Sequence, residues 1–245
     1  MNRIKAAFFV FTAPFPPDDD GSYLRWHLLD HEPEQYRIPG IQLSRRYIAD
    51  GAYAANRIVG EGDLADVGNL MHYLVGEPVQ QAHDEFMELG GRLEEMGRMP
   101  QRRPYLQLRM PALQTWDAAP QAAVSAEVVP WRPHHGALVI VEARAGDDAD
   151  AIAWQTWLRT EHVPEVLATP GVAGVWRYGD SSTWRLVARA RGDVRQDTTV
   201  VYLDDDPLVT TQRLLPLVER RWASGAVRPV FAGPMRTMVE WEAWT

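Results

Sequence analysis

The chain contains no cysteine. This excludes a disulfide framework, a thiolate metal site and a cysteine nucleophile, and it suits a reducing cytoplasm, the expected location. A long basic run is also missing, since 25 Lys and Arg stand against 33 Asp and Glu for a formal net charge of -8. Phosphate backbones need clustered positive surface, so nucleic acid is not an expected partner. There is no Gly-rich phosphate loop, no nucleophile elbow and no dinucleotide fingerprint, so no cofactor and no metal are expected from motifs. No apolar run is long enough to cross a bilayer, and no membrane partner is expected. The opening MNRIKAAFFVFTAPFPP imitates a secretion signal, but a similar stretch, ALVIVEARA at 137–145, recurs mid-chain where no signal sits. Both read as buried β-strands.

What the chain does have is a repeat. Sliding the sequence by 131 residues aligns Tyr23 to Tyr47 with Trp154 to Tyr178 without a gap, and eight of these 25 positions are identical. They are Trp26/Trp157, His31/His162, Pro33/Pro164, Glu34/Glu165, Pro39/Pro170, Gly40/Gly171, Arg46/Arg177 and Tyr47/Tyr178. A second anchor, at a shift of 129, sets HYLVGEP (72–78) against VYLDDDP (201–207) and equates Tyr73 with Tyr202. With 46% hydrophobic residues over 245 positions, the chain can bury a large core or two small ones. The repeat divides it into domains at 1–118 and 132–245, with an Ala- and Pro-rich linker at 117–135 between them.

Each half reads as β-α-β-β-α-β. In the first, strands are expected near 5–13, after Pro39-Gly40 and up to Tyr47, at 69–75 and at 105–115, with helices from Ser22 and over 79–96. Pro33 disfavours helix at the residue before it, which places His31 where one helix ends and a short turn begins. The second half repeats this order with strands at 137–144, 172–178, 198–203 and 228–242, helices at 149–162 and 207–223, and a hairpin-like extra strand at 184–190. Such modules are split βαβ, or ferredoxin-like, units. Their strands are apolar on both sides, so a second sheet must cover the face the helices leave bare. The predicted fold class is α+β: two tandem modules whose antiparallel sheets close into a pseudo-dimeric α/β barrel within one chain.

The pattern W-x4-H-x-P-E-x4-P-G-x5-R-Y, present in both copies, resembles the dimeric α/β-barrel superfamily and in particular its EthD-like members. Both copies place four residues between Trp and His, one more than the EthD-like pattern. The resemblance covers roughly the whole chain and implies a ferredoxin-like barrel with a pocket for a small apolar or aromatic molecule. Proteins related to that family include cofactor-free monooxygenases, muconolactone isomerases, polyketide-pathway dehydratases and haem enzymes, so the fold alone leaves the reaction open. Such barrels usually form from two subunits. An internal pseudo-dimer lets this chain stand as a monomer, with further pairing to a second copy still open.

Imidazole titrates near working pH, which makes the repeated His31 and His162 the first candidates for moving a proton; the competing reading is that they cap a helix end. His72, if it points inward, adds a polar group that the second copy lacks. His27 and His31 stand four apart, a spacing that allows a metal pair in the first half only, because Leu158 replaces His27 in the second. Adjacent helical residues diverge, so Asp30 and Glu161 are not expected to pair with the histidines beside them. Trp26 and Trp157 lie on a helical stripe suited to core packing or to stacking on a ligand. On strand two, Arg46/Arg177 and Tyr47/Tyr178 alternate sides, so one of each pair faces the barrel; Arg suits a carboxylate and Tyr a carbonyl oxygen. Tyr73 and Tyr202 complete the candidate binding set. His83, His134 and His135 read as solvated. The expected function is a cofactor-independent lyase, isomerase or oxygenase using His for proton transfer, or else a non-catalytic binding or accessory protein.

Overall fold

A computed structural model describes all residues except 18, 20, 100–104, 145–147, 181–182, 185–187, 190–195 and 240–245. The first module runs β1 (Ile4–Thr12), α1 (Ser22–Trp26), a π-helical segment (His27–His31), α2 (Glu32–Gln35), β2 (Ile41–Ile48), a short excursion of α3 (Gly51–Ala55) and β3 (Val59–Gly60), then β4 (Asn69–Gly76), α4 (Val79–Glu95), β5 (Tyr105–Arg109) and β6 (Ala112–Ala118). The second runs β7 (Gly136–Arg144), α5 (Asp148–Trp157), a π-helical segment (Leu158–His162), α6 (Val163–Ala168), β8 (Val172–Gly179), β9 (Ala188–Arg189), β10 (Gln196–Leu203), α7 (Pro207–Ala223) and β11 (Val227–Thr237).

The strands close a ring in the order β1-β4-β2-β11-β7-β10-β8-β6 and back to β1, with every pairing antiparallel. The last strand of each module leaves its own sheet to join the other. β11 pairs β7 along most of its length and then meets β2 at Arg236 and Thr237. The β5–β6 stretch pairs β1 and then runs along β8. This is the predicted pair of modules closing into one barrel. The side-chain period of two explains why the strands are apolar on both faces. Ala7, Phe9 and Phe11 of β1 enter the barrel core with Val139 and Val141 of β7, Trp176 of β8 and Tyr202 of β10. Ala6, Phe8 and Val10 face outward to α4, whose apolar stripe Val79, Ala82, Phe86, Leu89 and Leu93 follows the helical repeat. No helix among the described residues is long and apolar enough to cross a membrane.

Four expectations change. The helix does not end at His31: Glu32 N–H reaches back five residues to His27 O, and Val163 N–H to Leu158 O, so the backbone widens into a π turn in both copies. Pro33 and Pro164 explain it. A proline removes the i→i−4 bond and its ring crowds that carbonyl, and a wider turn relieves both without ending the helix. The 117–135 segment is not a free linker, since β6 extends to Ala118 and two 3₁₀ turns bury Ala122, Val129 and Pro130. His134 is not solvated, for its ring bridges Asp204 Oδ1 at 3.0 Å and Val129 O at 2.7 Å. The described part of the extra strand, β9, pairs β5 rather than extending β8, and most of 184–190, like the end of 228–242, lies outside the described residues.

Pro39-Gly40 turns the chain into β2. Gly40 holds φ +97 and a Cβ there would meet Gly76 O at 2.9 Å, so both the conformation and the close approach require glycine.

Candidate active site

The barrel interior is core rather than cavity around His72. Its ring stacks on Phe9 at 4.5 Å between centroids and meets Tyr178 edge-on at 5.6 Å. Tyr47, Tyr178 and Tyr202 are buried in the same interior, away from the helices. Burial pushes the His72 pKa down to about 3, and a buried imidazole stays neutral where a free one, near 6.5, does not. The unfolded chain therefore binds a proton below about pH 6.5 that the folded chain refuses, so this contribution to stability is complete above that value and is lost as pH falls toward 3. His72→Phe is expected to lose roughly 3 kcal/mol less stability than wild type between pH 7 and pH 4, measured by urea unfolding. Equal losses in the two proteins would contradict it.

The other candidates sit between sheet and helices. Tyr47 pairs with Leu70 on β4, and its repeat partner Tyr178 pairs with Thr198 on β10. Leu70 and Thr198 are thus equivalent, which makes Tyr73 the counterpart of Val201 and His72 that of Val200. The sequence anchor equating Tyr73 with Tyr202 is off by one residue. In a strand that reverses the side chain: Tyr73 faces the helices and Tyr202 the barrel.

In the first half the sheet face, the α1–π–α2 helix and α4 line a small cleft, with about 40 Å³ of water-accessible room inside about 450 Å³ of non-atom space that includes open solvent. Val10, Thr12, Arg46, Met71 and Tyr73 form its floor, Tyr23, Trp26, His27, His31 and Gln35 one wall, and Phe86 another. The His31 ring lies flat on Trp26 at 5.1 Å, and its Nε2 is 2.9 Å from Gln35 Nε2. Trp26 Nε1 donates to Arg98 O at 2.8 Å, and Arg98 also holds Asp30 and Glu34, which clamps the helix against the end of α4. Asp30 is thereby paired with Arg98, in keeping with its expected separation from His31.

His27 was legible only as half of a metal pair, yet it is central to the cleft. Its Nε2 lies 3.3 Å from the Tyr73 hydroxyl and its Nδ1 lies 3.6 Å from Glu32 Oε2. Burial first, then the neighbouring Arg46 and His31, hold the His27 pKa well below its ordinary value. Burial likewise holds the Tyr73 hydroxyl well above its ordinary pKa, so it stays a phenol. No group of three or more metal-ligating side chains is present among the described residues.

The equivalent sheet–helix position in the second half is filled by an ion pair, and wider recesses open beside it, one along Trp154 and Trp157 and one along Gln155, Arg159 and Arg177. Thr12, Met71 and Leu93 are replaced there by Glu142, Thr199 and Arg221, as the strand pairings and the two 17-residue helices align them. Arg221 donates Nε to Glu142 Oε1 at 2.7 Å and Nη2 to Oε2 at 2.6 Å, and Trp222 Nε1 adds a third bond to Glu142 at 2.7 Å. His27, Gln35 and Tyr73 give way to Leu158, Val166 and Val201, all in apolar clusters. His162 stacks on Trp157, and burial together with Arg221, Arg220 and Arg177 lowers its pKa to about 3. Arg177 donates to Gln155 Oε1 at 2.9 Å. The candidates therefore fall into three places: Trp26, His31, Arg46 and Tyr73 in the cleft, Trp157, His162 and Arg177 around its counterpart in the second half, and Tyr47, His72, Tyr178 and Tyr202 in the barrel.

Haem, one of the groups the superfamily resemblance brings into question, does not fit the described residues. An axial ligand needs a ring nitrogen facing a slot as broad as a macrocycle. His31 is flat against Trp26 and tied to Gln35, His27 lies between Tyr73 and Glu32, His72 is stacked in the core, and the space near His162 holds Glu142, Arg221 and Trp222.

No protein-family model matches the sequence, and no characterised protein matches it significantly. Solved structures do share the fold. A dye-decolorizing peroxidase from Bacteroides thetaiotaomicron superposes with TM-score 0.59 at 11% identity, covering 98% of this chain and 94% of that one. A mutant chlorite dismutase from Candidatus Nitrospira defluvii gives 0.56 at 11%, covering 99% and 93%. An anthrone oxidase-like protein gives 0.57 at 9%, covering 97% and 92%. The chain thus has the dimeric α/β-barrel fold, built here from two ferredoxin-like modules of a single polypeptide.

Proposed function

We propose that the protein is an enzyme acting on a small aromatic molecule in the first-half cleft, as a lyase, isomerase or oxygenase whose own side chains move the proton. The observation that carries this reading is the asymmetry between the halves: one copy of the repeat gathers His27, His31, Gln35 and Tyr73 around an open cleft, while the other carries Leu158, Val166 and Val201 and an ion pair in the same space. A purely structural role for the repeated motif gives no reason for His27, Gln35 and Tyr73 to stand where the other copy has Leu158, Val166 and Val201. The repeated W-x4-H-x-P-E pattern supports placing the chain beside the EthD-like branch.

The chemistry follows from the contacts. With Glu32 facing Nδ1, the tautomer carrying its proton on Nδ1 is favoured, which leaves Nε2 to accept from the Tyr73 hydroxyl. A substrate C–H or O–H placed against Tyr73 can pass its proton to the phenol oxygen as the phenol proton moves to His27. The resulting imidazolium faces the Glu32 carboxylate. The substrate is left as an enolate or phenolate, and His31 with Gln35 supplies polar contacts to its oxygen. Trp26, Met71 and Phe86 hold the ring and exclude water.

The test is a fluorescence titration with phenolic, polyketide-like and lactone compounds, each binder being followed by chromatography for conversion, in wild type, His31→Ala, His27→Leu and His162→Ala. Conversion lost in the first two variants and kept in His162→Ala supports the reading. Compounds that bind but are never converted would favour a binding or accessory protein, in which the His31–Trp26 stack is a fastener.

A further inference from the structure

Among the described residues four arginines are buried, and three of them donate to a side chain of the protein while one does not. Arg221 has Glu142, and Arg109 donates to Asp180 at 3.1 Å. Arg177 donates to the neutral Gln155, and burial and then Arg221 lower its pKa to about 10 against the smaller pull of Asp197 and Glu142. Arg46 is 5% exposed, and its Nε, Nη1 and Nη2 have no hydrogen-bond partner. Its one close neighbour of note is the Tyr23 ring, 5.2 Å from the guanidinium carbon. A guanidinium cannot shed its charge, and a charge out of water without a counter-ion is costly, so such a group is retained where something else supplies the anion. Among the described residues that line the cleft with Arg46 there is no carboxylate. His27 and Tyr73 are neutral, and the Glu32 carboxylate is turned to Ser44 and His27. Around Arg46 the walls are aromatic and apolar: Tyr23, Trp26, Met71 and Phe86.

We infer that the ligand of this cleft is a small aromatic oxyanion, a carboxylate or phenolate on one or two rings, whose oxygens take the Arg46 guanidinium while the ring lies among Trp26, Met71 and Phe86. This deepens the proposed function and rests on the same cleft. It also ties binding to chemistry. The anion offsets the positive field of Arg46 on His27, so His27 becomes a better base only when a ligand is in place.

The experiment uses the full-length protein and three probes, 1-naphthoate, its neutral counterpart 1-naphthamide, and 4-nitrophenol across its own ionisation, with binding followed by calorimetry. Wild type is expected to bind naphthoate about tenfold to a hundredfold more tightly than naphthamide, the range of a charge-assisted bidentate contact. Affinity for 4-nitrophenol should rise with its ionisation if phenolates are taken as well as carboxylates. Arg46→Gln should erase the preference for naphthoate, and Arg46→Lys should keep part of it. Arg45→Gln, which removes the same charge from the opposite side of β2, should leave it intact. Equal binding of naphthoate and naphthamide in wild type, no binding of any probe up to millimolar concentration, or a preference that survives Arg46→Gln overturns the inference. The wild-type comparison decides even if Arg46→Gln does not fold. An anion preference without conversion of any compound defeats the proton-transfer reading alone. Conversion of neutral compounds with no anion preference defeats this inference alone.

Discussion

Glu142→Leu is expected to destabilise the protein by roughly 3–5 kcal/mol, because it leaves a buried guanidinium without its counter-ion. Arg221 and Glu142 are each 1% exposed, the pair is bidentate at 2.7 and 2.6 Å, and Trp222 and Thr199 complete the hydrogen bonds around it. Removing the carboxylate strands three donors, two of them on the buried Arg221 and one on the partly buried Trp222. The pair itself is not a source of comparable net stability, since taking both charges from water offsets most of their attraction. Glu142→Leu/Arg221→Met is therefore expected to return to within about 1–2 kcal/mol of wild type, or to exceed it. A double-mutant cycle by urea unfolding measures both. A Glu142→Leu cost near 1 kcal/mol would show that the plug is not dry.

The second large effect concerns turnover. Tyr73→Phe removes one oxygen and keeps the ring that packs edge-on against Phe86 at 5.3 Å. If Tyr73 and His27 pass the proton, this change is expected to lower kcat by about 10²–10⁴-fold, the usual range for a positioned acid or base, and to leave KM within a few-fold. His27→Leu imports the residue that the second half carries at the same place, Leu158, so the local fold already accommodates it. It should match Tyr73→Phe in kcat, and the double variant should be no worse than either single one, because the two act in one transfer. Multiplicative losses would separate them into independent roles. The measurement is steady-state turnover of whichever compound the screen shows to be converted, with near-UV circular dichroism confirming the fold.

The two predictions are mirror images of one structural fact. Thr12, Met71 and Leu93 leave room in the first half where Glu142, Thr199 and Arg221 fill it in the second. Duplication gave two sheet faces to cover, and each was covered differently. The second half fills this position with a satisfied ion pair, and the first half leaves it to smaller, uncharged side chains beside the cleft.

The sequence by itself determined the duplication, the order of elements in each module and the closure of two sheets. These rest on short-range physics, namely the period of apolar residues, the Pro-Gly turns and the need to cover strands apolar on both faces. It also singled out Trp26, His31, Arg46 and Tyr73. It did not show that Pro33 widens a helix rather than ending it, since the choice depends on what the flanking turns pack against. The 129-residue anchor matched letters and missed the parity of a strand, which only pairing partners reveal; His72 and Tyr202 thereby went to the core and Tyr73 to the cleft. Comparing the copies position by position would have exposed His27, Gln35 and Tyr73 against Leu158, Val166 and Val201, once the register was right. Tertiary structure alone decided that an ion pair fills the second half's counterpart of the cleft and that Arg46 stands without a hydrogen-bond partner. Burial and counter-ions are set by residues far apart in the chain, such as Glu142 and Arg221, whose meeting no local pattern records.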